Sequence, residues 1–521
     1  MIPKQKNAVP PFADLLKIDT RAGPGSIVRA RLDRRCPPIR LLPVRAPGTQ
    51  HLENDGQLTS VRALSIAPSP KPKRPSAWLR GALFATAMAF LTTEPAAAAN
   101  GIKATNFLLE NGMEVVVIPD HRAPIVKHML WYKVGSADEP PGKSGIAHFF
   151  EHLMFKETAD HGAGELDRAV AEIGGSLNAF TSYDYTAFYE IVPPSALEQM
   201  MSYEADRMRN LTLTDDVIDA ERDVVREERR LRVDNNPQAL LDEEVVTTLW
   251  QSQPYRIPVI GWMHEIEKLN RSDAITFYYK HYWPNNAVLV VAGDVEPESV
   301  RALAERIYGK LPRGPELPTR ERASEPVQNT KRVLTLSDDR VLVPLFSRHW
   351  VVPSYRTAEP GEAEALDLLA EILGGGNRSR LYQELVVEQG IAAAAYADFQ
   401  GNMLDAGKFS IRGWPRGDAE LADVEAAVDA EIARIASNGV TNDELEQTKN
   451  RYIRSFIFGH DEQGTVARLY GATLATGGNV KDVEEWPDRI RKVTADQVKA
   501  VAARYLVSDH STTGYLLPKE N

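Results

Sequence analysis

The chain has 521 residues, 43% of them hydrophobic and 26% charged, enough for a sizeable core spread over more than one domain. Its formal net charge of −11 argues against a nucleic-acid binder that depends on phosphate contacts. The single cysteine, Cys36, rules out a framework of intrachain disulfides.

In chain order, residues 1–75 are rich in Pro and Arg and follow no period of two or 3.6. They are expected to be a disordered extension or to lie upstream of the true start. Residues 76–99 read as a secretory signal peptide. Basic residues at 71–74 and Arg80 precede an apolar run at 81–91, and Ala97-Ala98-Ala99 forms an A-x-A cleavage site. The run is too short for an ordinary membrane span. Because signals stand at a true N-terminus, translation is expected to begin nearer residue 60–75. The mature chain would start near Asn100, carry no cysteine, need no disulfide in an oxidising compartment, and be periplasmic or secreted without a stable membrane span.

Residues 106–119 predict two strands joined at Asn111-Gly112, and a third strand follows at 128–134. After a loop at 135–145, Ser144 is placed to cap a helix through Phe155. On that helix His148 and His152 are four apart and share one face, with Glu151 close to it. Two neutral imidazoles so spaced can hold one Zn²⁺ and leave positions for a third ligand and a water, whose proton Glu151 can take. The order is H-x-x-E-H, the reverse of the commoner zinc helix.

A helix at 165–173 ends at Gly174-Gly175, and two aromatic-rich strands over 176–193 bend near Tyr183-Asp184. Helices follow at 195–210 and from Thr214 to about Arg232. A third ligand must come from outside the first helix, and spacing leaves Glu204, Glu221, Glu227 and Glu228 open. Glu221 and Glu228, seven apart, point the same way.

A buried strand at 287–295 and a helix at 297–308 close the first half, and 309–330 has linker composition. The expected boundaries are a catalytic domain at 100–315, a linker at 316–330 and a second domain at 331–521. The second half repeats the alternation: strands at 331–337 and 342–352, a helix at 361–373, a helix at 378–388, strands over 391–413, and helices at 418–437 and 442–457. Gly374-Gly375-Gly376 lacks the Gly-Lys-Ser/Thr of a phosphate loop and reads as a helix end. The fold class is α+β: two homologous domains, each a mainly antiparallel sheet packed against several helices.

The stretch 135–156 resembles the zinc helix of the pitrilysin (insulinase-type) metallopeptidases, in the branch of mitochondrial processing peptidase and its bacterial relatives. Residues 174–186 resemble that family's substrate-binding edge strand and 221–228 its third-ligand helix. Residues 282–287 and 291–295 are similar to the end of its first domain, and 374–382 to its second. The resemblance implies a zinc-dependent endopeptidase acting on unfolded or extended peptides. His148, His152 and Glu228 would hold Zn²⁺, Glu221 would orient a ligand, and Glu151 would be the general base on a zinc-bound water. Asn178, Ala179 and Phe180 would pair with the peptide. The alternative is a catalytically idle structural or assembly subunit, a role in which the H-x-x-E-H residues tend to be lost. One departure stands out. The family's substrate-contacting Arg and Tyr, seven residues apart, correspond to Val386 and Ala393, and Tyr396 is out of register by three. The resemblance therefore implies a heterodimer in which a paralogous subunit supplies that Arg and Tyr.

Overall fold

The computed structural model describes residues 103–316, 319–459 and 462–519. The expected extension at 1–75, the signal segment at 76–99 and Cys36 lie outside them. In the first half, β-branched and aromatic residues mark β1 (Thr105–Leu108), β2 (Glu114–Pro119) and β3 (Val126–Tyr132). Helices α1 (Ile146–Leu153) and α2 (Glu165–Glu172) precede the hairpin of β4 (Ser176–Thr181) and β5 (Thr186–Val192). Then come α3 (Leu197–Arg209), α4 (Asp215–Arg229) and α5 (Pro237–Leu249). Two further helices, α6 (Met263–Ile266) and α7 (Arg271–His281), lead to β6 (Ala287–Gly293) and α8 (Pro297–Ile307).

The second half opens with β7 (Arg332–Asp338), β8 (Leu345–Val352) and α9 (Glu362–Gly374). The helix expected at 378–388 is mostly a π-helical stretch, Tyr382–Glu388. It leads to β9 (Ala392–Gln400) and β10 (Gly407–Pro415). Helices α10 (Leu421–Asn438), α11 (Asn442–Gly459), α12 (Gln463–Ala475), α13 (Val480–Glu484), α14 (Trp486–Lys492) and α15 (Ala495–Tyr505) precede β11 (Ser511–Pro518). Among the described residues no helix is long and apolar enough to cross a membrane.

The first sheet has the order β1-β2-β6-β3-β5-β4 and the second β7-β11-β8-β10-β9. In each, one parallel pair (β2 with β6, β7 with β11) adjoins an otherwise antiparallel ladder. The second sheet therefore repeats the first without β1, and β4 and β9 are the equivalent open edges. Strands β3 and β6 are buried at every residue, because both faces of the sheet are covered. One face packs Leu130, Tyr132 and Leu289 against Phe149, Phe150 and Leu153 of α1. The other packs Met129, Trp131 and Val290 against Val466, Ala467 and Tyr470 of α12, a helix of the second half. The exchange is mutual: α5 of the first half places Leu241 and Val245 against Leu345 and Leu516 of the second sheet.

The closeness of α12 rests on a missing side chain. A Cβ on Gly471 would come within 2.0 Å of the Trp131 ring, and the Trp131 side chain is wedged in the sheet core. Gly471→Ala is expected to cost about 1–3 kcal/mol of stability through overpacking, despite the better helix propensity of Ala. A denaturant titration checks this, and an unchanged or raised midpoint would contradict it.

Between the sheets, the described part of 311–331 carries no helix or strand, but it is tied down. Arg322, buried, pairs with Asp138 at 2.7 Å, Asp184 at 2.5 Å and Asp405 at 3.1 Å. Glu325 accepts the backbone N–H groups of Gln251, Ser252 and Gln253 at 2.6–3.0 Å. Asp184 sits in the β4–β5 turn and Asp405 in the β9–β10 turn, so one guanidinium joins the corresponding hairpins of both halves.

Candidate metal centre

Helix α1 begins at Gly145, which is left-handed at φ 84. A Cβ there would stand 2.5 Å from the Ile260 carbonyl oxygen, so only glycine suits the position. The expected Ser144 cap is not formed. The left-handed residue displaces Ser144 from the capping position, and its Oγ instead accepts the Trp262 N–H at 2.9 Å. The helix start is held by Glu139, whose carboxylate accepts the N–H groups of Gly145 and Ala147, both at 2.9 Å. Ile146, Ala147, Phe149, Phe150 and Leu153 enter the core, leaving His148 and His152 on the face that meets α4.

Helix α4 is started by Thr214, whose Oγ1 accepts the Val217 N–H at 3.3 Å, and anchored by Ile218 and Val225 in the core. That packing brings Glu228 to both histidines: its Oε2 lies 3.2 Å from His152 Nε2 and 3.6 Å from His148 Nε2. Ligand atoms of the three residues lie within 4.8 Å of one another. Glu221, two turns earlier, accepts from His152 Nδ1 at 2.8 Å and pairs with Lys156 at 2.5 Å. Glu227 is exposed and pairs with Arg230 at 3.0 Å. Glu204, on α3, is buried and accepts from Arg207 Nε at 2.7 Å. Of the four glutamates left open by spacing, two reach the histidines, in different ways.

Burial, then the neighbouring His152, lowers the His148 pKa to about 4, so this ring is neutral. Burial also acts to lower that of His152, but the hydrogen bond to Glu221 and the nearby Glu228 carboxylate outweigh it and raise it to about 9. For Glu228, desolvation is overcome by His152, His148 and Arg232, leaving its carboxyl at about 2. Glu151 goes the other way: burial, only partly opposed by a hydrogen bond from Thr181 Oγ1 at 2.6 Å, lifts it to about 7. Glu228 Oε2 is buried, stands between two Nε2 atoms, and has no hydrogen-bond donor of its own. Two imidazoles and one carboxylate that converge form a donor set that fits Zn²⁺. A second convergent group, His128, Glu190 and Glu204, does not fit a metal, because Arg207 already supplies its cation by pairing with Glu204.

Beside α1 runs the edge strand β4, which pairs only with β5 among the described strands. The Ala179 N–H bonds the Asn178 side-chain oxygen at 2.8 Å and so points away from β5, toward the open edge. The Phe180 ring is engaged inside the fold, edge-on to Trp131 at 5.3 Å and beneath the Arg468 guanidinium at 5.0 Å. Thr181 is the residue missed from sequence. Counting by two from Ala179 places it on the face turned to α1, where it holds Glu151. In the second half, Val386 packs on the core and Ala393 is exposed on β9. Tyr396 is fixed opposite Arg412 in the β9–β10 ladder and packs on Trp414. Ala393 stands at a register shift of that ladder, between Ala392, paired with Pro415, and Ala394, paired with Trp414.

The comparisons with known proteins agree with this architecture. The family model described as Insulinase (Peptidase family M16) matches residues 114–261, and that described as Peptidase M16 inactive domain matches 268–452. The zinc protease PqqE of Helicobacter pylori is 31% identical over 414 residues, spanning 79% of this chain and 92% of that protein. A probable mitochondrial-processing peptidase subunit beta of Arabidopsis thaliana is 27% identical over 407 residues, spanning 76% and 75%. The crystal structure of a protease from Helicobacter pylori superposes with a TM-score of 0.75 at 29% identity, covering 80% of this chain and 100% of that one. With its duplicated α+β halves and an H-x-x-E-H helix in the first, the chain belongs to the insulinase, or pitrilysin-type, M16 peptidase family.

Proposed function

We propose that the chain is a zinc-dependent endopeptidase of unfolded or extended peptides and the catalytic subunit of a heterodimer. The signal-type segment at 76–99 supports a reading in which it acts after export, in the periplasm or outside the cell. The observation that carries the catalytic reading is the meeting of His148, His152 and Glu228 beside Glu151 and an open strand edge. These three side chains would hold the metal. Bound Zn²⁺ would supply a Lewis acid that polarises the scissile carbonyl and lets water attack near neutral pH. Glu151, with a carboxyl near 7, takes a proton from the attacking water and passes it to the leaving amine. Thr181 fixes the Glu151 carboxylate and links it to β4. An extended peptide adds to β4 when Asn178 releases the Ala179 N–H, so backbone pairing supplies affinity with modest sequence selectivity.

Glu221 acts on His152 rather than on substrate, by accepting its Nδ1–H and so turning Nε2 toward the metal position. Glu221→Gln is expected to weaken zinc binding by about 10–100-fold, read by competition with a chromophoric chelator. An unchanged affinity would remove Glu221 from this role. The titration state adds a pH dependence. Without metal, His152 keeps its proton up to about 9 while His148 is neutral, so zinc must expel one proton. Zinc affinity should then rise about tenfold per pH unit between roughly pH 6 and 8 and level off toward pH 9. Calorimetry in buffers of different ionisation enthalpy counts that proton, and a pH-independent affinity would contradict the assignment.

The heterodimer reading rests on Val386 and Ala393, which cannot make the charged and phenolic contacts implied for those positions. Peptide cleavage by the chain alone is expected to be weak and to rise when a paralogue carrying the Arg and Tyr is added. Full activity of the chain as a homodimer would defeat this part of the reading.

A further inference from the structure

The duplication allows the zinc centre to be located a second time. Helices α1 and α9 both start at left-handed glycines, Gly145 at φ 84 and Gly361 at φ 85. Helices α4 and α11 both follow a threonine whose Oγ1 accepts the N–H three residues on, at 3.3 Å for Thr214 and 3.2 Å for Thr441. Counting from these paired starts, His148 corresponds to Glu364, Glu151 to Asp367, His152 to Leu368 and Glu228 to Ser455. All three metal-ligand positions have changed, and a carboxyl survives only where the first half has Glu151.

The surviving carboxyl lines a cavity of about 380 Å³ whose walls include Tyr355, Phe399, Tyr452, Phe456 and Trp486. Ser455 lines it and is exposed, so the cavity reaches the surface at the Glu228-equivalent position. Its volume lies within the range of small-molecule sites. Each guanidinium on its wall is paired with a carboxylate other than that of Asp367. Arg356 pairs with Asp482 at 2.9 Å and Arg489 with Glu364 at 2.6 Å. Among the described residues, the hydroxyls of Tyr355 and, at 3.3 Å, Tyr452 donate to Asp367. Burial lifts its carboxyl to about 7, as expected of an enclosed acid with no cation beside it among the described residues. An enclosed carboxylate is costly until a cation meets it, and aromatic walls favour a cation over a neutral guest.

We propose that this cavity, the second half's counterpart of the zinc centre, binds an organic cation: a protonated amine at Asp367 carried on an apolar body between the aromatic rings. The amine belongs either to a peptide or to a free small molecule. The site makes no use of zinc, so it stands or falls separately from the peptidase reading.

Calorimetric titration of the full chain with phenethylamine, and with 2-phenylethanol as its uncharged counterpart, tests the proposal. The amine is expected to bind about tenfold or more tighter than the alcohol. D367N should remove that preference, and S455W should block both ligands, while zinc content and thermal midpoint stay unchanged. Equal binding of amine and alcohol, no binding of either, or an unaffected preference in D367N would overturn the proposal. Competition by an extended peptide with a free amino terminus, but not by its acetylated twin, would assign the amine to a peptide. Failure of both to compete, with phenethylamine still bound, would assign it to a small molecule.

Discussion

Glu151→Gln is expected to lower kcat for peptide cleavage by about 10²–10⁴-fold while the protein keeps one zinc per chain. The amide has the shape of the carboxylate, and its oxygen can still accept the Thr181 hydroxyl, which bonds Glu151 at 2.6 Å. What it cannot do is take a proton. Glu151 is outside the group of side chains whose ligand atoms converge, so metal content should not respond. Peptide cleavage and metal analysis of the same preparation separate the two effects. A fully active variant would refute the base assignment, and a zinc-free one would mean that Glu151 belongs among the ligands.

Glu228→Gln should instead remove the zinc, and with it the activity. Its carboxyl is held at about 2 by His152, His148 and Arg232 against the pull of desolvation, so it is an anion at any working pH. The amide leaves two imidazoles with no charge to complete the set. Glu227→Gln is the matched control: one residue away, exposed and paired with Arg230, it should change neither zinc content nor cleavage. Equal zinc content in the two variants would contradict the placement of α4 over α1.

These paired variants also mark the limit of what the sequence reveals about the site. His148, Glu151 and His152 are legible because their relation is local: four residues on a helix put two imidazoles on one face whatever surrounds them. The third side chain depends on how another helix docks. Periodicity groups Glu221 with Glu228 but cannot tell which lies nearer the Nε2 atoms and which lies behind Nδ1. The cap shows the same contrast. Ser144 has the right chemistry one residue too early, and Glu139, six residues before Gly145, does the work because the loop folds back.

The duplication could be expected from the repeating alternation of the two halves, but not the strand order, which brings the distant β2 and β6 together in parallel. The exchange of α5 and α12 could not, because each helix is covered by the other half's sheet and not by its sequence neighbours. Arg322 is a further example. Linker composition surrounds it, yet it is enclosed by three aspartates from distant turns, a partnership set wholly by tertiary packing.

The most direct test of the central claim is cleavage of an extended peptide by the purified chain, with and without a paralogue that carries the Arg and Tyr, before and after metal chelation and zinc return. The account predicts one zinc per chain and cleavage that chelation abolishes and added Zn²⁺ restores. A chain that holds zinc yet cleaves no peptide in either setting, or cleavage indifferent to the chelator, would contradict it.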